Sequence, residues 1–418
     1  MEALLGAHAD LSWMLTAFTL IFFMVPGLAL YYGGMVGSRN ALNMMSMVLV
    51  ALGISAVLYV IVGYGLVSGP TVGGFIGDPS DYIGLGDTMT DDGSGGVQTL
   101  YFAAWFILFA AITVAIVASG AAGRMKFTGW LVFVPVWLLL VYFPVAHWVF
   151  AVDADGYEGG FLINDIGIHD YAGGTAVHMN SGVAALALAM ALGPRLQRSE
   201  RPHNVPLALL GGGILWFGWF GFNGSCALGS SFLTQQVLLN TLLAGSAGIL
   251  GYAVVERWRE GSVTSLGLTT GAIGGLVGIT PSANSMTPLG ALAVGFLAAA
   301  AVAFLLSFKH RMHADDSLDA FAVHGLGGIV GTLCVVAFAS AAAPAGVEGL
   351  LLGGSLNLAW KELAGIVITC TFSFVMTYAI AKVLDKLIGL RVDPDTETAG
   401  LDTVVHAENA YEIPAAKA

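Results

Sequence analysis

Eleven apolar stretches of roughly twenty residues dominate this chain, near residues 13–35, 43–67, 99–121, 128–150, 173–193, 205–227, 234–256, 265–281, 288–308, 320–341 and 358–386. A run of that length crosses the hydrocarbon core of a bilayer as a helix, and a helix satisfies its own backbone hydrogen bonds where no water can. An all-α polytopic membrane protein with eleven transmembrane helices is expected. The eighth stretch is the shortest and is rich in glycine (Gly267, Gly271, Gly274, Gly275, Gly278) before Pro281. Only 10% of the 418 residues are charged, against about 25% in soluble domains. The net charge of −12 argues against a nucleic-acid partner. No polar linker divides the chain, so residues 1–386 read as one membrane domain and 387–418 as a polar tail. The 57 glycines suit close helix packing in lipid. Cys226, Cys334 and Cys370 lie in apolar runs and read as buried thiols. The opening MEALLGAHADLSW has no basic n-region, so the first run is expected to remain as a span.

Basic residues orient the chain. Arg39, Arg124, Lys126, Arg195, Arg198, Arg201, Arg257, Arg259, Lys309, Arg311, Lys382, Lys386, Arg391 and Lys417 fall on one side of an eleven-span topology, and Lys361 alone on the other. The opposite loops carry Asp78, Asp81, Asp87, Asp91, Asp92, Asp153, Asp155 and Glu158. The positive-inside rule then places the N-terminus outside and the C-terminus in the cytoplasm. Spans 1–5 and 6–10 run in opposite senses, the pattern of an inverted 5+5 repeat with its site near midplane, plus a final helix. The halves share an Asp-then-His theme: DYAGGTAVHMNSG at 170–182 and DAFAVHGLGGIV at 319–330. At an α-helical rise, His178 would lie about 12 Å beyond Asp170, and His324 about 7.5 Å beyond Asp319.

Ionisable residues inside spans are functional candidates because desolvation is costly. Two neutral imidazoles at similar depth suit a pore lining, a proton acceptor or the holding of a small polar molecule; no further ligand cluster lies near them to support a metal or haem. Asp170 sits where it would cap the helix that follows, with attraction of an approaching cation as a secondary effect, and Asp319 reads the same way. Aromatics crowd the outward half: Trp105 and Phe109, Trp148 and Phe150, then Trp216, Phe217, Trp219, Phe220 and Phe222. Ring faces attract a desolvated cation, although interfacial anchoring and core packing stand as competing readings. No TVGYG-type filter and no ring of intramembrane carboxylates offers a metal ion a path. A bare cation entering low dielectric costs of order 20 kcal/mol in the Born limit; one that sheds its proton, as ammonium does, escapes most of that.

At these residues the chain resembles the ammonium transporter family (Amt/Mep/Rh), on its Amt branch. The matching stretches are PGLALYYGGMVGSRN at 26–40, FPVAH at 143–147, DYAGGTAVHMNSG at 170–182, WFGWFGFN at 216–223, GGLVGITP at 274–281, DAFAVHGLGGIVG at 319–331 and GLDTVVHAENAYE at 400–412. The resemblance implies an eleven-helix protomer, a homotrimer with one pore per subunit, regulation by a cytoplasmic PII-type protein, and no enzymatic activity or cofactor. It assigns His178 and His324 to the twin pore histidines, and Phe109 and Phe222 to the stacked gate. Phe150 stands where the outer recruitment site usually has Trp, Cys226 where a Ser is usual, and Ala407 where the tail motif has Gly. Recruitment would then fall to Phe109, Phe150, Cys226 and Asp170, with Trp148 and Ser225 as substitutes for the missing groups. The function implied is ammonium transport across an inner or plasma membrane, as an electrogenic transporter or an ammonia gas channel. The alternative is an ammonium sensor built on the same pocket.

Overall fold

The computed structural model describes residues 2–154, 156–197, 201–308 and 314–411. Asp155, Arg198, Lys309, Arg311 and Lys417, and the side chain of Asp87, lie outside that description.

Among the described residues ten helices are long and apolar enough to cross a membrane: α1 (Leu5–Met35), α2 (Ala41–Ser68), α3 (Thr99–Ala121), α4 (Phe127–Phe150), α5 (Gly174–Leu192), α6 (Val205–Ser225), α7 (Phe232–Glu260), α9 (Pro288–Leu306), α10 (Phe321–Phe338) and α11 (Leu356–Ile388). The expected eighth span is a shorter apolar helix, α8 (Ser265–Ile279). Polar residues at the helix heads set several starts. Asn204 accepts the Leu207 N–H, Thr264 that of Gly267, Thr287 that of Gly290 and Ser355 that of Asn357, while Ser231 and Thr234 form a reciprocal capping box.

Two expectations are corrected. The first span begins at Leu5 rather than 13, because polar Ser12, Asp10 and His8 hide a helix from a hydropathy reading without breaking it. The chain is also not uniformly α-helical. π-helical turns interrupt α2 at Tyr59–Gly63 and α4 at Leu138–Tyr142, and they form the heads of α5 at Gly174–Met179 and α10 at Phe321–Leu326. Both histidine segments are therefore π-helical, and the α-helical rise used to set their depth does not apply there. Such turns are rare and frequently sit at functional sites.

Glycine decides how closely the helices cross. α1 runs along α6, and a Cβ at Gly211 would lie 2.3 Å from the Tyr31 nitrogen. α5 crosses α10 at Gly182, where a Cβ would lie 2.1 Å from the Gly325 nitrogen. Bare backbone against backbone is what brings the two histidine helices together. α7, α8 and α9 pack mutually, and α11 lies against α5.

The tail continues from α11 into α12 (Pro394–Ala399) and α13 (Leu401–His406) and folds back on the loops at that end. Leu390 accepts the Lys126 N–H and Arg124 accepts that of Val392, at 2.8 and 3.0 Å. Arg391 donates to the carbonyls of Leu192 and Pro194 and pairs with Glu397 at 2.8 Å. Asn40 makes no side-chain cap on α2. Asp402 does the capping instead, taking the N–H groups of Leu42 and Asn43 at 3.0 and 2.7 Å. Ala407 holds the left-handed conformation, φ 55°, which explains why glycine suits that position.

Candidate functional site

The Asp170 carboxylate gathers the head of α5. One oxygen accepts the N–H groups of Gly173 and Gly174 at 2.9 and 2.7 Å, the other those of Thr175 and Ala176 at 2.7 and 3.2 Å. A carboxylate, which only accepts, matches four donors. Gly173 makes the turn at φ 105°. The equivalent place at α10 belongs to Asp316 rather than Asp319: Asp316 accepts the Phe321 N–H at 2.7 Å and the Ser119 hydroxyl at 2.5 Å. Asp319 instead adopts a left-handed backbone, φ 66°, at the bend into the helix.

From these two heads the imidazoles of His178 and His324 meet, Nδ1 to Nδ1 at 3.3 Å, with ring centroids 5.3 Å apart. At that distance one Nδ1 must carry a proton and the other must not, so the contact suits a neutral pair. His178 is 1% and His324 6% exposed. His178 lies 5.2 Å from the Trp219 ring, nearly parallel to it, and Trp219 is held by a 3.0 Å hydrogen bond to Thr280. The His178 Nε2 has no hydrogen-bond partner among the described residues. A cavity beside the pair is lined by apolar groups such as Leu28, Ile112, Leu215 and Val323, with Tyr31 and Tyr32 at its border.

On the other side of His178 the rings of Phe109 and Phe222 stack at 4.3 Å and 14°, with Phe222 5.8 Å from His178. Both are buried. Next comes an aromatic group formed by Trp105, Phe106 and Phe150: Trp105 is 5.1 Å and Phe150 6.2 Å from Phe109, and Phe106 is 5.7 Å from Phe150. The Trp105 indole donates to the Ser225 hydroxyl at 2.9 Å, and Ser225 donates in turn to the Phe222 carbonyl at 3.2 Å. Cys226 points its thiol at that same carbonyl, 3.5 Å away.

Phe109, Phe150, Phe222, Ser225, Cys226, His178 and His324 are thus brought to one column. Trp148 is not. Two residues from Phe150 on a helix, it is turned by about 200°, and packs on Phe75, Phe161 and Phe372 with its indole donating to the Phe75 carbonyl. The tryptophan of the ring group is Trp105, which the sequence reading held only among the crowded aromatics; its spacing of four from Phe109 on one helix was the available signal. Trp219 likewise reads in the sequence as one of the crowded aromatics, without its place beside His178.

Beyond the column's tail end, Arg195 grips Asp315 with two side-chain bonds at 2.9 and 3.0 Å, and buried Arg124 reaches the Asp315 carbonyl and Ser317. Burial pushes the Asp315 carboxyl up, but Arg195 outweighs it and holds the group below the usual range. Among the described residues no cluster of three or more His, Cys, Asp or Glu side chains is arranged to hold a metal.

The family model described as Ammonium Transporter Family matches residues 12–411. An ammonium transporter of Corynebacterium glutamicum is 48% identical, covering 97% of this chain and 90% of that protein. One from Mycobacterium tuberculosis H37Rv is 41% identical, covering 97% and 91%. Among solved structures, Mep2 of Candida albicans superposes with a TM-score of 0.83 at 32% identity over 93% of this chain and 87% of that one. A structure titled "Sensor Amt Protein" gives 0.86 at 29% identity over 97% and 100%.

Proposed function

The chain belongs to the ammonium transporter family, and from that premise we propose that it draws ammonium to the Trp105–Phe109–Phe150 ring group, that ammonium gives up its proton beside the stacked pair Phe109 and Phe222, either to the neutral histidine pair, which carries it on, or back to water outside, and that ammonia passes along His178 and His324. Members of the family are transport proteins rather than enzymes, and ammonium is the substrate the family implies. The observation that carries the reading is the unbroken order of rings. Cation-attracting faces lead to a stacked closure, and the closure leads to a neutral histidine pair in an apolar cavity. Ring faces stabilise the charged form, and low dielectric beyond them favours the neutral one. Ser225 and Cys226 border the recruitment site, and Asp170 holds the head of the histidine helix while adding negative potential.

With α8 counted as a span, the chain crosses eleven times. Its basic loops then lie in the cytoplasm with the tail, residues 387–418, and its N-terminus lies outside. An inverted repeat of α1–α5 and α6–α10 is supported by the pairs α1/α6 and α5/α10, counterparts that pack on one another. A homotrimer in an inner or plasma membrane, with a PII-type protein acting on the docked tail, completes the reading. The sensor alternative is favoured by one observation, the match to the structure titled "Sensor Amt Protein".

Charge movement in proteoliposomes after an ammonium pulse tests this, with potassium as control. A saturable ammonium-specific current establishes electrogenic transport. Internal alkalinisation without current establishes a gas channel. Ammonium binding with neither signal refutes transport and leaves the sensor. A His178→Ala variant that keeps a selective current refutes a histidine relay.

A further inference from the structure

The buried acid that this mechanism leaves unused is Glu362, on the second turn of α11 and 1% exposed. An ionisable side chain inside a span is costly to keep without a partner. Its partner is backbone: Glu362 Oε1 accepts the His169 N–H at 2.6 Å, one residue before Asp170. The same stretch is fixed on either side. Gly167 turns at φ 74° beside Lys361, and Ile168 packs where a Cβ on Gly365 would lie 3.0 Å from it. The His169 ring bonds Asn284 at 2.9 Å, and the Tyr171 N–H bonds the Pro281 carbonyl at 3.0 Å. Of these anchors, Glu362 supplies the hydrogen bond that reaches the chain nearest to Asp170 from α11.

We propose that Glu362 is a positioning residue for the permeation column: by holding His169 it fixes the Asp170 carboxylate, through it the π-turned head Gly174–Met179, and so the place of His178. The proposal deepens the transport reading and rests on it for its functional part. What the site needs from Glu362 is an acceptor oxygen, which glutamine also offers and leucine does not.

The experiment compares Glu362→Gln and Glu362→Leu in the full chain, reconstituted in lipid. Amide exchange is followed over residues 171–178, together with ammonium flux as a function of concentration. Glu362→Leu is expected to speed exchange about tenfold or more, the scale of leaving the buried His169 N–H without its acceptor. It should lower maximal flux at least as much while KM moves less. Glu362→Gln is expected to restore slow exchange and most of the flux. Exchange in Glu362→Leu equal to the parent overturns the proposal, as does a Gln variant as impaired as the Leu one. The exchange arm reads the positioning even if the parent carries no flux, an outcome that would fault the transport reading alone.

Discussion

Asp170→Asn is the substitution that separates what the carboxylate does from where it sits. The two side chains are nearly isosteric, so the head of α5 has no new space for water. Each carboxylate oxygen accepts two N–H groups. Asparagine keeps one accepting oxygen and turns an NH₂ donor toward the other two donors. Two charge-assisted bonds are lost, at roughly 1.5–3 kcal/mol each, or about 3–6 kcal/mol in all. That exceeds the ceiling of about 2 kcal/mol for exposed caps, because Asp170 is only 7% exposed. Against a total stability of roughly 5–15 kcal/mol, such a loss falls first on the segment that carries His178. The expected outcome is protein that still inserts, with maximal ammonium flux down by a factor of about one hundred or more and fast amide exchange at residues 173–176. Asp170→Ala, which loses all four bonds but admits water, is expected to be no worse. The assay is the concentration dependence of the ammonium-induced signal in proteoliposomes. If Asp170→Asn raises KM and leaves maximal flux alone, Asp170 acts by attracting the cation and the argument from capping fails.

Trp105→Leu should raise the KM for ammonium roughly thirtyfold, the loss of about 2 kcal/mol of cation–π attraction in a water-excluded site; Trp148→Leu should leave it near the parent value, and the reverse ranking would return recruitment to Trp148. Ala407→Gly should tighten tail docking by up to about 1 kcal/mol, since alanine bears roughly 1–2 kcal/mol in the left-handed region and glycine gives back part of the gain in entropy; protease resistance of the tail reports it, and a more labile tail counts against the strain. Asp315 has a depressed pKa in the folded protein, so its contribution is present above the unfolded value near 3.9 and fades as pH falls through the folded one. A spin label at exposed Leu196 should therefore stay ordered from neutral pH to about 4 and loosen only below; loosening near pH 6 would exclude Asp315 as the cause.

The spans and the histidine helices were legible because hydropathy and an intramembrane imidazole are local signals. The π turns were not, since nothing in GTAVHM or FAVHGL distinguishes five-residue from four-residue hydrogen bonding, and the α-helical rise assumed for both histidines does not hold there. Facing was legible only through angular arithmetic. Trp148 and Phe150 look adjacent in AHWVF yet stand on different sides of α4, whereas Trp105 shares a face with Phe109. Asp316 took the capping place foreseen for Asp319 because the chain bends at Asp319, and a bend three residues long is invisible to helix spacing. Glu362 escaped notice because its partner is a backbone amide 193 residues away, a contact that no window along the chain includes.

Asp402 caps α2 from 360 residues downstream. At a synthesis rate of roughly 5–20 residues per second, the first turn of α2 waits some 20–70 s before its capping group exists. During that interval its leading amides are open to water. The closing of that turn is therefore a timestamp on biogenesis: it distinguishes a chain still being made, or one cut short before residue 402, from one whose membrane domain and tail have both arrived.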